Sequence, residues 1–266
     1  MFTCKSGVYG YKFVLVDMVN YICLIIRGAK MTDKKKLAIL GGMGSEATEV
    51  FYKKIIESTN VANDRDHLDM LIYNHASMPD RTEYILSGRS EELWNIIKSD
   101  IDKLKLIGGE YLAIPCNTCH YFSERINNEM DGKFINMIKV TAKKVKDKGF
   151  KCAGVLATDG TMNSNIYGKA LEEVGVSYMY PSSEKQKDVM DLIYNQIKQG
   201  EKGDKKQFLS IVKELRGKGC DAIILGCTEL SVLYENHDFN GDFYIDALDE
   251  LTRACIENCG GEYFME

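Results

Sequence analysis

The sequence predicts an α/β fold of two similar lobes, each a mainly parallel sheet flanked by helices. Short apolar runs, typical of buried strands, alternate with longer segments in which apolar residues recur at helical spacing. One apolar run leads into Cys116 with a threonine close behind, and the same pattern recurs at Cys227 in the second half. A strand, a turn of small residues and a helix also open both halves, near residues 37 and 152. This repetition predicts two lobes related by pseudo-two-fold symmetry.

Each expected element has a local signal in the sequence. Apolar runs of strand length predict strands at 37–40, 68–73, 111–114, 134–138, 152–157, 176–180, 222–225 and 243–245. Helical periodicity predicts a helix from Ser45 onward and further helices at 92–107, 118–130, 140–148, 163–174, 182–198, 205–218 and 247–259. Ser45 and Ser182 are suited to cap the helices that they precede, and Gly108 is suited to end one.

The order of these elements divides the chain into segments. We expect residues 34–135 plus 241–266 to form lobe 1, which carries Cys116, and residues 136–240 to form lobe 2, which carries Cys227. The last helix is then expected to cross back onto the first lobe.

The first 33 residues differ from the rest of the chain. Residues 11–26 are mostly apolar but are interrupted by Lys12, Asp17 and Asn20, which makes the stretch short and impure for a membrane span. It also lacks the compact basic start of a signal peptide. We interpret residues 1–33 as a non-core extension, with the globular domain starting near Met31. A membrane tether, a targeting segment or an extra packed element remain alternatives.

Composition excludes several classes of protein. Of 266 residues, 45% are hydrophobic and 27% are charged, which supports a buried core and argues against disorder. The net charge is −5 and the densest basic tract is Lys34–Lys36, so no nucleic-acid partner is expected. The nine cysteines are odd in number and scattered, which favours reduced thiols in the cytoplasm over a secreted disulfide framework.

The glycine turn at residues 41–44 lies between the first strand and a helix. Backbone N–H groups at such a helix start can bind an anion, although the same sequence also fits a tight turn without a ligand. The pattern is not the G-x-G-x-x-G of dinucleotide folds, so a nicotinamide cofactor is disfavoured.

The motif Cys116-x-x-Cys119-His120 has several interpretations. Covalent haem attachment fits the letters but needs an exported protein. A redox pair or half of a zinc site is a second interpretation, but the chain has no second C-x-x-C and no paired histidines. Two inert buried cysteines are a third. The repeated strand context favours a fourth, in which Cys116 works with Cys227 and no metal is bound.

Two thiols on one cavity suit a proton transfer without a cofactor. A thiolate at a helix start has a lowered pKa and can act as a base, while a thiol can act as an acid. Racemisation of an α-carbon needs a base on one face and an acid on the other. The resting enzyme would then hold one thiolate and one thiol. Arg81 is a candidate clamp for a substrate carboxylate, although a lone arginine after Pro79-Asp80 also fits a surface position.

Six motifs in order along the chain resemble the aspartate/glutamate racemase family, and its aspartate racemase branch above all. They are Leu40-Gly41-Gly42-Met43-Gly44, Met78-Pro79-Asp80-Arg81-Thr82, Pro115-Cys116-Asn117-Thr118, Leu156-Ala157-Thr158-Asp159-Gly160-Thr161, Gln186-Lys187-Asp188-Val189-Met190 and Leu225-Gly226-Cys227-Thr228-Glu229. The resemblance runs from about Lys36 to the C-terminus and leaves residues 1–33 outside.

The resemblance implies a cofactor-independent racemase of an acidic amino acid, usually a homodimer. Cys116 and Cys227 would be the two bases, and Arg81 and Lys187 would bind the substrate carboxylates. The remaining implied pocket residues are Met43, Asn117, Thr118 and Thr228, with possible support from Glu229 and Thr158.

Three positions depart from the family pattern. Ser45 replaces the usual proline, which should be harmless because both residues start helices. Cys119 replaces the usual alanine, and we hypothesise that it makes the site prone to an internal disulfide with Cys116. Glu229 stands where glutamate-specific relatives carry histidine, which favours aspartate or a broader specificity. Glutamate, hydantoin or broad-specificity racemisation, and a non-catalytic carboxylate-binding protein, are the alternative functions.

Overall fold

A computed structural model describes residues 34–264 of the chain. These residues form two parallel sheets. The first sheet contains β1 (Leu37–Gly41), β2 (Met70–Asn74) and β3 (Tyr111–Ala113). The second contains β4 (Cys152–Leu156), β5 (Ser177–Met179), β6 (Ala222–Leu225) and β7 (Tyr244–Asp246).

The two sheets have the same strand order. In the first, β1 lies between β2 and β3; in the second, β4 lies between β5 and β6, and β7 follows on the outside of β6. Phe134 makes a parallel bridge to Leu112 of β3 and so occupies, in the first sheet, the position of β7 in the second. The prediction of an α/β fold with two similar lobes is therefore confirmed. The central strand β1 is buried along its whole length, as expected for parallel sheets covered on both faces.

Helices cover both sheets. The α-helices of the described residues are α1 (Ser45–Ser58), α2 (Arg81–Leu86), α3 (Ser90–Leu106), α4 (Ser123–Glu129), α5 (Met137–Asp147), α6 (Asp159–Asn163), α7 (Ile166–Glu173), α8 (Ser183–Asp191), α9 (Lys205–Gly217), α10 (Thr228–Asn236) and α11 (Ala247–Asn258).

Two helices, α5 and α11, each follow the last strand position of one sheet but pack against the other sheet. Leu248 of α11 packs in one apolar cluster with Ile39 of the first sheet. Val145 of α5 packs in another cluster with Val155 of the second sheet. The final helix thus crosses back onto the first lobe, as the element order suggested.

The lobe boundary near residue 241 differs from the sequence-based division. Strand β7 pairs with β6 through Ile223 and Tyr244, so residues 244–246 belong to the second sheet, although residues 241–266 had been assigned to lobe 1. The chain crosses between the lobes where β7 ends and α11 begins. Asp246 caps α11 there by accepting the Leu248 N–H.

Three further expected elements differ from the structure. In place of the single helix expected at 118–130, the structure has a 3₁₀ turn, Asn117–Phe122, followed by α4. The helix at 182–198 is α8 followed by a π-helical turn, Leu192–Gln196, and a 3₁₀ turn, Ile197–Gln199. The strand at 134–138 is a single bridge, because the Asn136 side chain accepts the Lys139 N–H and starts α5 early.

The expectation of a non-core extension at residues 1–33 lies outside the described residues. Within residues 34–264, no helix combines the length and the apolar character that a membrane span requires.

His120 fixes the segment that follows β3. Its Nδ1 lies 2.9 Å from the Cys116 carbonyl, and its Nε2 accepts the Met137 N–H at 3.0 Å. The ring is therefore a neutral imidazole that donates from Nδ1 and links the Cys116 turn to the start of α5. Burial lowers the pKa of His120 to about 4, and the hydrogen bond to Cys116 opposes this shift only in part.

Replacement of Phe51 by alanine should destabilise the fold, since Phe51 of α1 is fully buried. We expect Phe51→Ala to lower the free energy of unfolding by about 3–5 kcal/mol through lost burial and a residual cavity. The matched control is Tyr52→Ala on the same helix, where the aromatic ring is 41% exposed. Urea denaturation measures both, and equal losses would contradict this account of the core.

Acid should weaken the fold through His120. Its pKa is lower in the folded chain than its ordinary value of 6.5, so the unfolded chain binds a proton that the folded chain does not. Stability is therefore lost as pH falls from about 6.5 to about 4, by about 3 kcal/mol. Urea denaturation across this range should show a smaller loss for His120→Gln than for the unchanged protein or a His67→Gln control. The same pH dependence in all three would disprove the assignment.

Candidate active site

Cys116 and Cys227 occupy equivalent positions in the two lobes. Cys116 follows β3 and is the N-cap of the 3₁₀ turn Asn117–Phe122, whereas Cys227 follows β6 and is the N-cap of α10. Each residue is only 6% exposed, and both line one cavity between the lobes. The carboxyl ends of parallel strands are where open α/β sheets form their ligand crevices.

This cavity gathers most of the residues that the sequence singled out. It is nearly closed, with a volume of about 10 Å³, which is room for about one water molecule. The sequence-predicted residues that line it are Met43, Arg81, Cys116, Asn117, Thr118, Thr158, Cys227, Thr228 and Glu229. Asp80, Thr82, Tyr194 and Lys198 complete its wall.

Arg81 is held rigidly beside Cys116. The side chain is 6% exposed, and its guanidinium donates to the carbonyls of Met43 at 3.0 Å and Pro79 at 2.9 Å. Its buried Nε has no hydrogen-bond partner within the described part of the chain. Arg81 is the first residue of α2, which Asp80 caps by accepting the Glu83 N–H, so the short helix fixes where the side chain begins. The cavity therefore contains a fixed positive charge with a free donor.

The thiol of Cys116 is set up to ionise. A hydrogen bond from the Cys119 thiol lowers the pKa of Cys116 to about 6, and the positive charge of Arg81 acts in the same direction against the effect of burial. Cys116 is therefore mostly thiolate at neutral pH, and a thiolate can accept a proton.

The thiol of Cys227 is set up to stay protonated. Burial raises the pKa of Cys227 well above its usual value, and the neighbouring Glu229 carboxylate raises it further. The Cys227 thiol donates to Glu229 Oε2 at 2.9 Å, which holds the proton on sulfur. The two thiols on this cavity thus have pKa values shifted in opposite directions.

Lys198 is a site residue that sequence reasoning missed. Its Nζ lies 3.5 Å from Glu229 Oε1 and 4.8 Å from the centre of the Tyr194 ring. Burial lowers its pKa, but the charges of Glu229 and Cys227 outweigh this and raise the pKa overall, so the ammonium stays charged. The sequence predicted one regular helix through this position, where a lysine in the last turn is typical of a solvated end. The π-helical turn Leu192–Gln196, which precedes Lys198, has no recognisable signal in the sequence.

The structure does not bring Lys187 to the cysteines. Lys187 lies on the exposed face of α8, whereas its neighbour Gln186 is buried. It lines a separate cavity of about 810 Å³, together with Asp159 and Asp188. Lys187 does not line the cysteine cavity in this structure, and its binding of a substrate carboxylate stays a prediction from the sequence.

Two further donors around the cavity lack partners. Asn117 Oδ1 accepts the Tyr167 hydroxyl at 2.6 Å, but the buried Asn117 Nδ2 has no partner within residues 34–264, and neither does Thr82 Oγ1. An unpaired buried polar group is costly unless a ligand or water satisfies it. Together with Arg81 Nε, these atoms are suited to the oxygens of a small acidic ligand.

Hydroxyl contacts join the lobes around the site. Thr118 Oγ1 lies 2.9 Å from Thr158 Oγ1 and 3.1 Å from Thr161 Oγ1, and Thr158 caps α6. On another side the Tyr194 hydroxyl donates to Asp80 Oδ2 at 3.0 Å. These contacts close the cavity from both lobes.

The C-x-x-C-H motif does not form a metal site in the part of the chain that the structure describes. Both ring nitrogens of His120 are engaged by backbone groups, and residues 34–264 contain no cluster of three or more potential metal ligands.

Comparison with known proteins identifies the family. The sequence matches the profile of the Asp/Glu/Hydantoin racemase family over residues 40–255. The broad specificity amino-acid racemase RacX of Bacillus subtilis is 28% identical over 206 residues, which cover 75% of this chain and 88% of RacX.

Two solved structures share the fold. The aspartate racemase of Picrophilus torridus superposes with a TM-score of 0.74 and 30% identity, and covers 86% of this chain and 96% of that one. An aspartate racemase homologue from Pyrococcus horikoshii OT3 has a TM-score of 0.68 and 25% identity, and covers 85% and 99% respectively. On the profile match and these relatives, the chain belongs to the Asp/Glu/hydantoin racemase family of isomerases.

Proposed function

We propose that this protein is a cofactor-independent aspartate racemase that moves the α-proton between Cys116 and Cys227. The observation that carries the proposal is that two buried thiols, with pKa values shifted in opposite directions, line one cavity. The likeness to the Picrophilus torridus aspartate racemase supports aspartate as substrate. The likeness to RacX favours a second candidate, racemisation of several amino acids. A homodimer in the cytoplasm remains a prediction from sequence.

Aspartate has two carboxylates that need cations to bind them. Inversion of its α-carbon also needs one acid–base group on each face of that carbon. In the proposed arrangement Arg81 and Lys198 bind the two carboxylates of aspartate, which places the α-carbon between the sulfurs. The Cys116 thiolate takes the α-proton. The free donor of Asn117 and the nearby cations stabilise the negative charge that then spreads onto the α-carboxylate.

The Cys227 thiol returns a proton from the opposite face and inverts the carbon. Glu229 keeps that proton on sulfur until the carbanion forms, and Lys198 stabilises the new Cys227 thiolate. The second enantiomer reacts by the reverse path from the opposite protonation state, which proton exchange restores. No step requires an electron sink beyond the substrate carboxylate.

Substrate binding requires the cavity to open. A four-carbon dicarboxylate does not fit in about 10 Å³. A larger cavity of about 420 Å³ lies on the other side of a wall made by residues that line both spaces. These shared residues are Met43, Asp80, Arg81, Lys198 and Glu229. We infer that aspartate binds first in the larger cavity and that separation of the lobes admits it to the thiols.

Removal of either sulfur should abolish racemisation. We expect Cys116→Ala and Cys227→Ala each to lower the rate about 10²- to 10⁴-fold, because each removes one acid–base group. Circular dichroism follows racemisation of L- and D-aspartate, and NMR in D₂O follows α-proton exchange. Cys255→Ala, which removes an equally buried thiol outside the cavity, should keep its activity.

Three outcomes separate the alternatives. Exchange that is unaffected by loss of either cavity thiol would contradict the two-thiol mechanism. Binding of aspartate without exchange would indicate a carboxylate-binding protein without catalysis. Parallel assays with glutamate and neutral amino acids decide between aspartate and a broader specificity.

The two lysines should differ in their effect on substrate binding. Lys198→Gln removes a charge from the cavity wall and should raise KM for aspartate about 10- to 100-fold through the loss of charge-assisted hydrogen bonds. Lys187→Gln removes the same charge from the other cavity and should change KM little. Steady-state kinetics on both enantiomers measures this. The reverse order of effects would restore Lys187 as the substrate-binding lysine.

A further inference from the structure

Cys119 is a buried thiol that the proposed racemisation does not use. It is fully buried at the third position of the 3₁₀ turn that Cys116 caps. Its thiol donates to Met43 Sδ at 3.1 Å and also interacts with the Cys116 sulfur, whose pKa it lowers. A thiolate is a stronger acceptor than a thioether, so the single proton of Cys119 is directed to Cys116 when Cys116 is ionised. Cys116 therefore has a second thiol beside it, within the same turn.

We propose that Cys116 and Cys119 form a dithiol that a small hydroperoxide oxidises to an intrachain disulfide, which reversibly switches off proton transfer. The formation of this disulfide does not depend on which amino acid the enzyme racemises. Only its consequence for activity rests on the proposed role of Cys116.

The chemistry proceeds in two balanced steps. The Cys116 thiolate attacks one oxygen of hydrogen peroxide, the O–O bond breaks, a sulfenic acid forms on Cys116 and hydroxide leaves. The Cys119 sulfur then loses its proton and attacks the Cys116 sulfur. The S–S bond forms, the S–O bond breaks, and the departing hydroxide combines with the Cys119 proton as water. The two sulfurs together lose two electrons, and the peroxide gains them.

The cavity selects the oxidant by size. Cys116 is 6% exposed and Cys119 is fully buried, behind a space of about 10 Å³. Hydrogen peroxide is close to water in size, whereas a tripeptide disulfide such as oxidised glutathione cannot reach either sulfur in this closed form. Cys116 reacts first because it is the ionised thiol and it borders the cavity.

Cys119 is better placed than Cys227 to complete the disulfide. Cys119 is three residues from Cys116, within one turn, so the pair can close without movement of the lobes. Cys227 belongs to the other lobe and lies 111 residues further along the chain. The C-x-x-C spacing at a helix start is the arrangement in which thiol pairs commonly react.

The chain contains a second thiol pair for comparison. The sulfurs of Cys152 and Cys220 lie 3.8 Å apart at the end of the second sheet opposite Cys227. Burial raises the pKa of Cys220 to about 12, and the nearby Arg216 donates to the Cys220 carbonyl at 3.1 Å rather than to a sulfur. We therefore expect it to react with peroxide more slowly than Cys116 and Cys119.

The test treats the full-length protein with graded hydrogen peroxide and then digests it with trypsin under conditions that block free thiols. Cys116 and Cys119 fall in one peptide, residues 106–125, which contains no internal lysine or arginine. We expect this peptide to lose two hydrogen atoms and to become unreactive to iodoacetamide. Dithiothreitol should reverse both changes, and α-proton exchange should fall and recover in parallel.

Variants at Cys119 separate the disulfide from simple oxidation. In Cys119→Ala, peroxide should add oxygen to Cys116, and dithiothreitol should not restore the higher oxides or the activity. Cys119→Ser keeps a hydrogen-bond donor and should behave like the alanine variant, which guards against a packing defect. Cys152→Ser should respond like the unchanged protein.

Two results would overturn the proposal. One is a cross-link between residues 106–125 and 219–253, which would join Cys116 or Cys119 to a cysteine of the second lobe instead. The other is unchanged iodoacetamide reactivity of residues 106–125 after peroxide has inactivated the protein. If the disulfide forms in a protein that shows no exchange with any amino acid, the proposed racemase function fails while the peroxide-sensitive dithiol stands.

Discussion

A buried guanidinium beside a buried thiol organises the centre of this protein. Arg81 would be expensive to bury alone, because a charge loses its hydration in the interior. Backbone carbonyls satisfy part of the guanidinium, and the Cys116 thiolate supplies a negative charge. The hydrogen bond from Cys119 and the same arginine charge together lower the pKa of Cys116. The contact between Arg81 and Cys116 therefore both stabilises the buried arginine and favours ionisation of the cysteine.

The duplicated topology places a second thiol, Cys227, on the same cavity in a different charge environment. Equivalent strand ends place Cys116 and Cys227 on one cavity, but the neighbours of the two thiols have opposite charges. Arg81 and the Cys119 thiol stabilise negative charge on Cys116, whereas Glu229 disfavours it on Cys227. Symmetry of the backbone thus places the two thiols on one cavity, and asymmetry of the side chains shifts their pKa values in opposite directions.

Much of the fold and part of the site could be predicted from the sequence, because buried parallel strands are continuous apolar runs that end in recognisable turns. The strand before Cys227 shows this clearly, since Ala222–Leu225 was expected at the bounds that the structure has. The placement of the lysines could not be predicted. A single π-helical turn changes the direction of the following side chain, and it left no periodic signal that separates Lys198 from Lys187. The helix expected after Cys116 also failed locally, because the Asn117–Phe122 turn is wound more tightly than its apolar spacing suggests.

The exchange of α5 and α11 between the sheets has a consequence for how the chain folds. Each lobe's apolar core includes a helix that the sequence places next to the other lobe's strands. A polypeptide that contained either lobe alone would leave one sheet face uncovered and exposed to water. We therefore expect the two lobes to depend on each other for stability. The lobes can separate only as far as these two crossing helices allow, so we expect the lobe separation that we infer for substrate entry to be a small hinge motion.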